Sequence, residues 1–290
     1  MPYNMTLTRA RQQRDGLSHE ALRQADHVVT IKQTGVARSL NVAQAAGIAC
    51  YGIANPPRQV NPMEIPGDAW QSSAESEVAL LQRHFALTRV RGRASGTDHM
   101  TNIADWYRGH SVAELRERLD VSESPALRLF LWHPFADRNL GGLVRTAAAF
   151  RLPWVSYAGK RKFDRRAATG LHNVVPLLHM GDEHEAAKAL RFLQASRRVR
   201  IIGLAQAGDV SLAHAVPLEY ACSRWVSDDT CGGVCLVLAS EGGVIPEPLR
   251  NILDEIIMLP NSRCSLPSSI VAAVASWAVD QARDQVRRQG

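Results

Sequence analysis

The stretch VCLVLASEGGVIPEPLRNILDEIIMLP, residues 234–260, decides the fold. Its opening run VCLVLA is apolar without alternation, the pattern of a strand covered on both faces. Ser240, Glu241, Gly242 and Gly243 break the run. PEPLRNIL (246–253) then places proline in the first turn of a helix, where a missing N–H costs nothing. EIIMLP (255–260) is apolar and of strand length again. Strand, short helix, strand is the building unit of a parallel α/β sheet.

The same alternation extends outward. ALRLFLW (126–132), WVSYA (154–158) and VRIIGLA (199–205) are strand-length apolar runs. Between them, LGGLVRTAAAF (140–150) has helical spacing and EHEAAKALRFLQAS (183–196) is amphipathic at helical period. SSIVAAVASWAVDQARDQVRR (268–288) reads as one long final helix. Residues 126–290 therefore form an α/β domain with a mostly parallel sheet and flanking helices.

The N-terminal region repeats a piece of this. In GLSHEALRQA (16–25) Ser18 caps a short helix, HVVTI (27–31) has strand character, and RSLNVAQAAGIACYG (38–52) is a loop running into a helix. The order matches PEPLRNIL, EIIMLP and CSLPSSIVAAVASWA (264–278). Aligned on Ser39 and Ser265, the copies share Ser-Leu, Ala46 with Ala272, Ala49 with Ala275, and an aromatic, Tyr51 with Trp277. Asn41 in the first copy stands where the second has Pro267. The repeat thus covers a supersecondary unit, an N-terminal α/β fragment lacking the upstream strands. Three origins fit it: a packed remnant of a tandem ancestor, a segment whose Asn41 completes a site within the chain or across a dimer, or a product of gene boundaries.

Between the copies, ANPPRQVNPMEIPGDAWQSS (54–73) has a linker's composition. ESEVALLQRHFAL (75–87) reads as a helix, RVRGRASG (89–96) as a basic loop, and SVAELRERL (111–119) as a short helix capped by Ser111. No chemistry is legible there. The chain divides into 1–53, a partial repeat; 54–125, linker and helical extension; and 126–290, the main domain.

A chain of 290 residues with 46% apolar and 21% charged residues packs a real core. No apolar run approaches the ~18–20 residues of a membrane span, and MPYNMTLTRARQQRDG lacks a signal peptide's apolar segment. The five cysteines show no metal-ligand spacing, so no metal is expected. Cys231 and Cys235 lead into an apolar strand and read as buried free thiols, in keeping with a cytoplasmic protein. A net charge of +6 suits a polyanionic partner.

Two segments carry candidate chemistry. In HPFADRNLGGLVRTAAAF (133–150) a strand ends, a loop holds Asn139, Gly141 and Gly142, and a helix with Arg145 follows. A plain βα turn would explain the asparagine and glycines. Alternatively Asn139 and Arg145 point into one cleft at the C-terminal edge of the sheet, where open α/β sheets bind ligands. G-x-G-x-x-G is absent there, which disfavours a dinucleotide. In LVLASEGGVIPEPL (236–249), Glu241 follows a buried strand and two glycines allow close backbone approach to a ligand. An ordinary glycine turn with a solvated glutamate is the other reading.

Together N-L-G-G-L-V-R-T (139–146), L-A-S-E-G-G-V-I-P (238–246) and L-P-N-(x)3-S-L (259–266) resemble, in order and at typical distances, the three motifs of the SpoU/TrmH branch of the SPOUT RNA methyltransferases. GKRKFDRRAATGLHN (159–173) is similar to the family's basic, glycine-containing loop. DGLSHEALRQADHVVTIKQTGVARSLNVAQAAGIA (15–49) resembles the stretch from the end of the second motif through the third, and keeps S-L-N.

The resemblance implies a 2′-O-ribose methyltransferase acting on tRNA or rRNA, with S-adenosyl-L-methionine as cofactor, a C-terminal trefoil knot and a homodimer. Catalytic positions fall on Asn139, Arg145, Glu241 and Ser265. Cofactor contacts, largely backbone, fall on Leu238, Ala239, Ser240, Gly242, Leu259, Asn261 and Leu266. Lys160, Arg161, Lys162, Arg165 and Arg166 would hold the RNA backbone, or form a solvated basic loop. Guanidinium stays protonated in water, so Arg145 is expected to clamp a phosphate and stabilise the developing alkoxide, with Glu241 holding Asn139 and Arg145 in place. Pro267 replaces the family's third-motif asparagine, and Ala239 the glycine common before the second-motif Ser-Glu. Pro267 favours the alternative of a catalytically weak paralogue that binds RNA.

Overall fold

A computed structural model describes residues 18–55, 77–85, 87–90, 102–120, 127–133, 137–160, 165–205, 216–228, 230–239, 244–259 and 266–289. Among these residues eight strands form one sheet: β1 (Thr88–Arg89), β2 (Leu127–Trp132), β3 (Val155–Ala158), β4 (Leu177–His179), β5 (Arg200–Ala205), β6 (Val216–Pro217), β7 (Val234–Ala239) and β8 (Glu255–Met258). Their order is β1-β4-β3-β2-β7-β5-β8-β6. Every neighbouring pair is parallel except β1 with β4.

The unbroken apolarity of β7 follows from its place between β2 and β5, with helices over both faces. Leu236 and Leu238 point to one side with Leu129 and Leu131; Cys235 and Val237 point to the other with Phe130. The first face carries α5 (Asp137–Ala149), α7 (Leu218–Ser227) and α9 (Ser268–Gln289). Against it too pack Leu115 and Leu119 of α4 (Val112–Asp120), whose Ser111 cap accepts from Glu114 N at 3.2 Å. The second face is covered by α3 (Glu77–His84), α6 (Glu183–Arg197) and α8 (Glu247–Arg250). Each fully buried leucine in these layers contributes ~1.5–3 kcal/mol relative to an exposed one.

Two further helices belong to the N-terminal copy: α1 (His19–Gln24), capped by Ser18 as expected, and α2 (Val42–Ala54), capped by Asn41. α2 lies along α9. HVVTI (27–31), expected as a strand, joins no sheet among the described residues, with Val28 and Val29 60% and 75% exposed. The reason is physical. Its counterpart β8 is hydrogen-bonded to β5 and β6, and the first copy has no such neighbours. The helix expected over 246–253 is also shorter, a single turn with Pro246 as N-cap.

The expected loop around Asn139, Gly141 and Gly142 is a helix, because α5 already begins at Asp137. The two glycines serve packing. A Cβ on Gly141 would lie 2.4 Å from Ala167 Cβ, and one on Gly142 would lie 2.5 Å from Ser269 Cβ. The linker 56–73, the loop 91–96, and the 240–243 and 260–265 segments on which the expected knot turns lie outside the described residues. Among the described residues no helix is long and apolar enough to cross a membrane.

Cys222, Cys231 and Cys235 are buried and form no disulfide among the described residues, while Cys50 is exposed. Burial pushes the Cys235 thiol up to about 12, which removes the thiolate that reacts. Brief iodoacetamide treatment at neutral pH will label Cys50 and spare these three, as peptide mass mapping will read out. Labelling of Cys235 at the rate of Cys50 would contradict this packing.

Candidate functional site

The parallel sheet sends all its central strands out at one edge. β2, β3 and β7 end level with one another, Trp132 registering with Ala158 on one side and Ala239 on the other. Ligands of open α/β sheets bind beyond that edge. α5 starts there. Asn139 is 8% exposed, and its Oδ1 accepts from Ser269 Oγ at 3.1 Å. Ser268 Oγ donates to the Ala239 carbonyl at 2.6 Å, so the first turn of α9 is pinned both to the end of β7 and to α5. Pro267 takes the position before that turn, its carbonyl accepting from Ile270 N and Val271 N at 2.8 and 3.2 Å.

Six residues along α5, Arg145 is 4% exposed. Its Nη2 donates to the Ser39 carbonyl at 3.2 Å, and its Nε has no hydrogen-bond partner among the described residues. No carboxylate among those residues pairs with it. Desolvation by burial holds its guanidinium below the ordinary arginine value. A buried cation without an acid is costly, and an anion arriving at the free Nε edge would offset that cost.

The N-terminal copy builds the rest of this region. Thr34 N and Gly35 N donate to the Ala149 carbonyl, and Ala37 N to that of Ala148, capping carbonyls left open at the end of α5. A Cβ on Gly35 would sit 2.0 Å from the Ala148 oxygen, so only glycine allows this approach. Ser39 is gripped by Asn102, whose Oδ1 accepts from Ser39 N and Oγ at 3.1 and 3.0 Å and whose Nδ2 donates to the Ser39 carbonyl at 2.9 Å. Buried Gln44 has its amide nitrogen 3.1 Å from the Gly142 carbonyl, 2.9 Å from Thr146 Oγ1 and 3.0 Å from the Ser269 carbonyl. Its Oε1 accepts from Asn41 N at 3.2 Å, closing a capping box on α2.

Two polar groups thus flank α5: Asn139 with Ser269 and Gln44, and Arg145 with Ser39 and Asn102. Leu238, Ala239 and Leu259 are buried at the ends of β7 and β8, and Leu266 is half-buried just before α9. Lys160 and Arg166 are exposed, the latter on a short turn whose Ala167 packs on Gly141. Ser240, Glu241, Gly242, Asn261, Ser265, Arg161, Lys162 and the side chain of Arg165 lie outside the described residues. Gln44, Asn102 and Ser269 are members that the sequence did not single out. Only Gln44 left a trace, as the fourth letter of the N-x-x-Q cap.

Residues 12–51, the first copy, match the SpoU rRNA Methylase family. No curated protein matches the chain. Among solved structures, the chain is similar to the SpoU methyltransferase AviRb from Streptomyces viridochromogenes, at 18% identity and TM-score 0.46 over 58% of this chain and 63% of that one. It is also similar to a TrmH/SpoU tRNA modifying enzyme from A. aeolicus, at 18% identity and TM-score 0.46 over 62% and 84%. A structure described as an RNA 2′-O ribose methyltransferase matches at 17% identity and TM-score 0.44 over 55% and 58%. The chain therefore spans less than two thirds of AviRb.

Proposed function

We infer that this chain, whose residues 12–51 carry the SpoU signature, is an RNA methyltransferase of the SpoU/TrmH branch. Its methyl donor is S-adenosyl-L-methionine and its acceptor a ribose 2′-hydroxyl of tRNA or rRNA. The observation that carries this reading is Arg145: a buried guanidinium with an unpartnered Nε and no acid beside it among the described residues, on the helix that leaves the first central strand.

The described residues fit the donor. At the ends of β7 and β8 the side chains of Leu238, Ala239 and Leu259 are buried, which leaves the backbone there to meet a ligand. When bound, S-adenosyl-L-methionine supplies an electrophilic methyl group on a sulfonium.

This chain's residues then have three tasks. The first is alignment, because an in-line displacement gains most from holding nucleophile and methyl group together. Asn139, fixed by Ser269, sits on the turn of α5 nearest the sheet edge. The second is charge. As the ribose hydroxyl attacks and its proton passes to solvent water, negative charge grows on its oxygen, and the Arg145 fork is a pre-placed donor for that charge or for an adjacent phosphate. The third is grip. Lys160 and Arg166 are exposed and would hold the RNA backbone, contacts that weaken steeply with salt.

Pro267 favours a second reading, a weak paralogue that binds RNA without turning over. It occupies the cap position of α9 with no side-chain acceptor, where the first copy has Asn41. Tritium transfer from labelled S-adenosyl-L-methionine into tRNA and rRNA pools separates the two. Labelled RNA in which the linkage 3′ to the modified ribose resists alkaline hydrolysis is the expected result. RNA bound tightly but left unlabelled in both pools would sink the enzyme.

A further inference from the structure

Two copies of one loop-and-helix lie against each other in this fold. α2 and α9 are the helices aligned on Ser39 and Ser265, and they run side by side in the same direction. Gln44 meets Ser269 at one end, Gly47 packs on Ile270 and Val274, and Tyr51 and Gly52 meet Trp277 further along. Tyr51 and Trp277 hold the same position in the two copies, and they touch, with ring centroids 6.3 Å apart in an edge-on arrangement at 83°. Equivalent positions meeting one another is the mark of an isologous, two-fold contact. Here both halves belong to one chain.

The first copy is cut to fit. A Cβ on Gly47 would lie 2.5 Å from Ile270 Cγ2, and one on Gly52 would lie 2.9 Å from the Trp277 ring. The aligned positions in α9 are Ala273 and Ala278. A glycine inside a helix costs ~0.5–1 kcal/mol relative to alanine, so two of them on the contact face of α2 are explained by the closeness of the seat.

We propose that the N-terminal copy is an internal partner. Within one chain it fills the face of α9 on which a second copy of this chain would seat its own α9. It also holds the candidate site from α5 outward: Gln44 ties Gly142 and Thr146 to Ser269, and the Ser39 carbonyl, gripped by Asn102, receives Arg145. The chain is accordingly a monomer with an internal pseudo-two-fold, in place of the homodimer expected from the family resemblance. Gln44 and Ser39 are positioning residues. Their bearing on catalysis rests on the methyltransferase reading above; the pairing of α2 with α9 does not.

The full-length chain carrying Gly47→Cys and Ile270→Cys, with exposed Cys50→Ser, tests the pairing without any activity assay. The Cβ position of residue 47 lies 3.9 Å from Ile270 Cβ, inside the ~3.5–4.5 Å spacing of a disulfide. The Ile270 substitution also removes the Cγ2 that would crowd the new side chain. Mild oxidation is expected to join 47 to 270 within one chain, mapped by peptide mass, with light scattering giving the 31.8 kDa of a single chain before and after. Two chains joined through 47 and 270, no mapped bridge, or a stable dimer of the unmodified protein would each overturn the proposal. For the positioning role, Gln44→Met keeps length and removes the amide. Its turnover number is expected to fall about tenfold with KM for RNA unchanged, while the 47–270 bridge still forms. Unchanged turnover in an active enzyme would remove Gln44 from the site. If the unmodified protein methylates nothing, the function reading fails and the disulfide still decides the pairing.

Discussion

On the methyltransferase reading, Arg145→Met will slow methyl transfer by ~10²–10³-fold and leave the protein at least as stable as its parent. The two effects have opposite signs because they come from the same burial. Arg145 is 4% exposed with its Nε unpartnered among the described residues, so the folded state bears the desolvation of a cation, a cost that an apolar side chain of similar volume does not carry. The bond that is lost leaves no orphan. The Ser39 carbonyl keeps its second donor, Asn102 Nδ2, at 2.9 Å. Turnover loses a guanidinium buried on α5, and deleting one pre-placed donor to a developing oxyanion costs ~10²–10³-fold in rate. Arg145→Lys keeps the charge but not the fork, and falls between. Single-turnover transfer and thermal denaturation measured side by side will show the separation. A melting temperature that drops in step with activity would make Arg145 a structural residue.

How much of this could be seen in the sequence varies by element, for physical reasons. The central strands were legible because a parallel strand covered on both faces is an uninterrupted apolar run, as VCLVLA shows. β4 was not, since three residues after a proline carry no period. α7 was missed despite a usable signal: Leu218, Ala221, Cys222 and Trp225 are buried at helical spacing. HVVTI fails the other way, since strand propensity needs hydrogen-bonding neighbours and the first copy brings none. At the site, Asn139 and Arg145 were legible through the resemblance and fall on one helix, each held by a residue of α9 or of the first copy. Asn102 was invisible, because its job depends on the Ser39 backbone, distant in the chain. Gln44 declared only its local cap, whereas its three long-range acceptors exist only once α2 lies on α5 and α9.

The segment 54–125, without visible chemistry in the sequence, meets the sheet through β1, α4 and one carboxylate, and removing that carboxylate in Glu77→Ala is expected to destabilise the fold by ~3–5 kcal/mol. Arg128 lies in β2 and is 3% exposed; its Nε donates to Glu77 Oε2 at 2.6 Å and its Nη2 to Glu77 Oε1. Trp154 Nε1 donates to the same Oε2 at 2.9 Å. Removing the carboxylate deprives a buried guanidinium of its counter-charge and a buried indole of its acceptor, and loosens α3, whose Leu81 packs into the core beneath. Glu77→Gln will cost less, since it keeps an acceptor and gives up only the charge. The cost of Glu77→Ala is mainly that of a stranded cation, not the net worth of the pair. The double variant Glu77→Leu, Arg128→Met should therefore recover most of the loss. Urea denaturation of the single and double variants measures the coupling. Additive losses would mean that α3 is held by its apolar face alone and that the ion pair only decorates it.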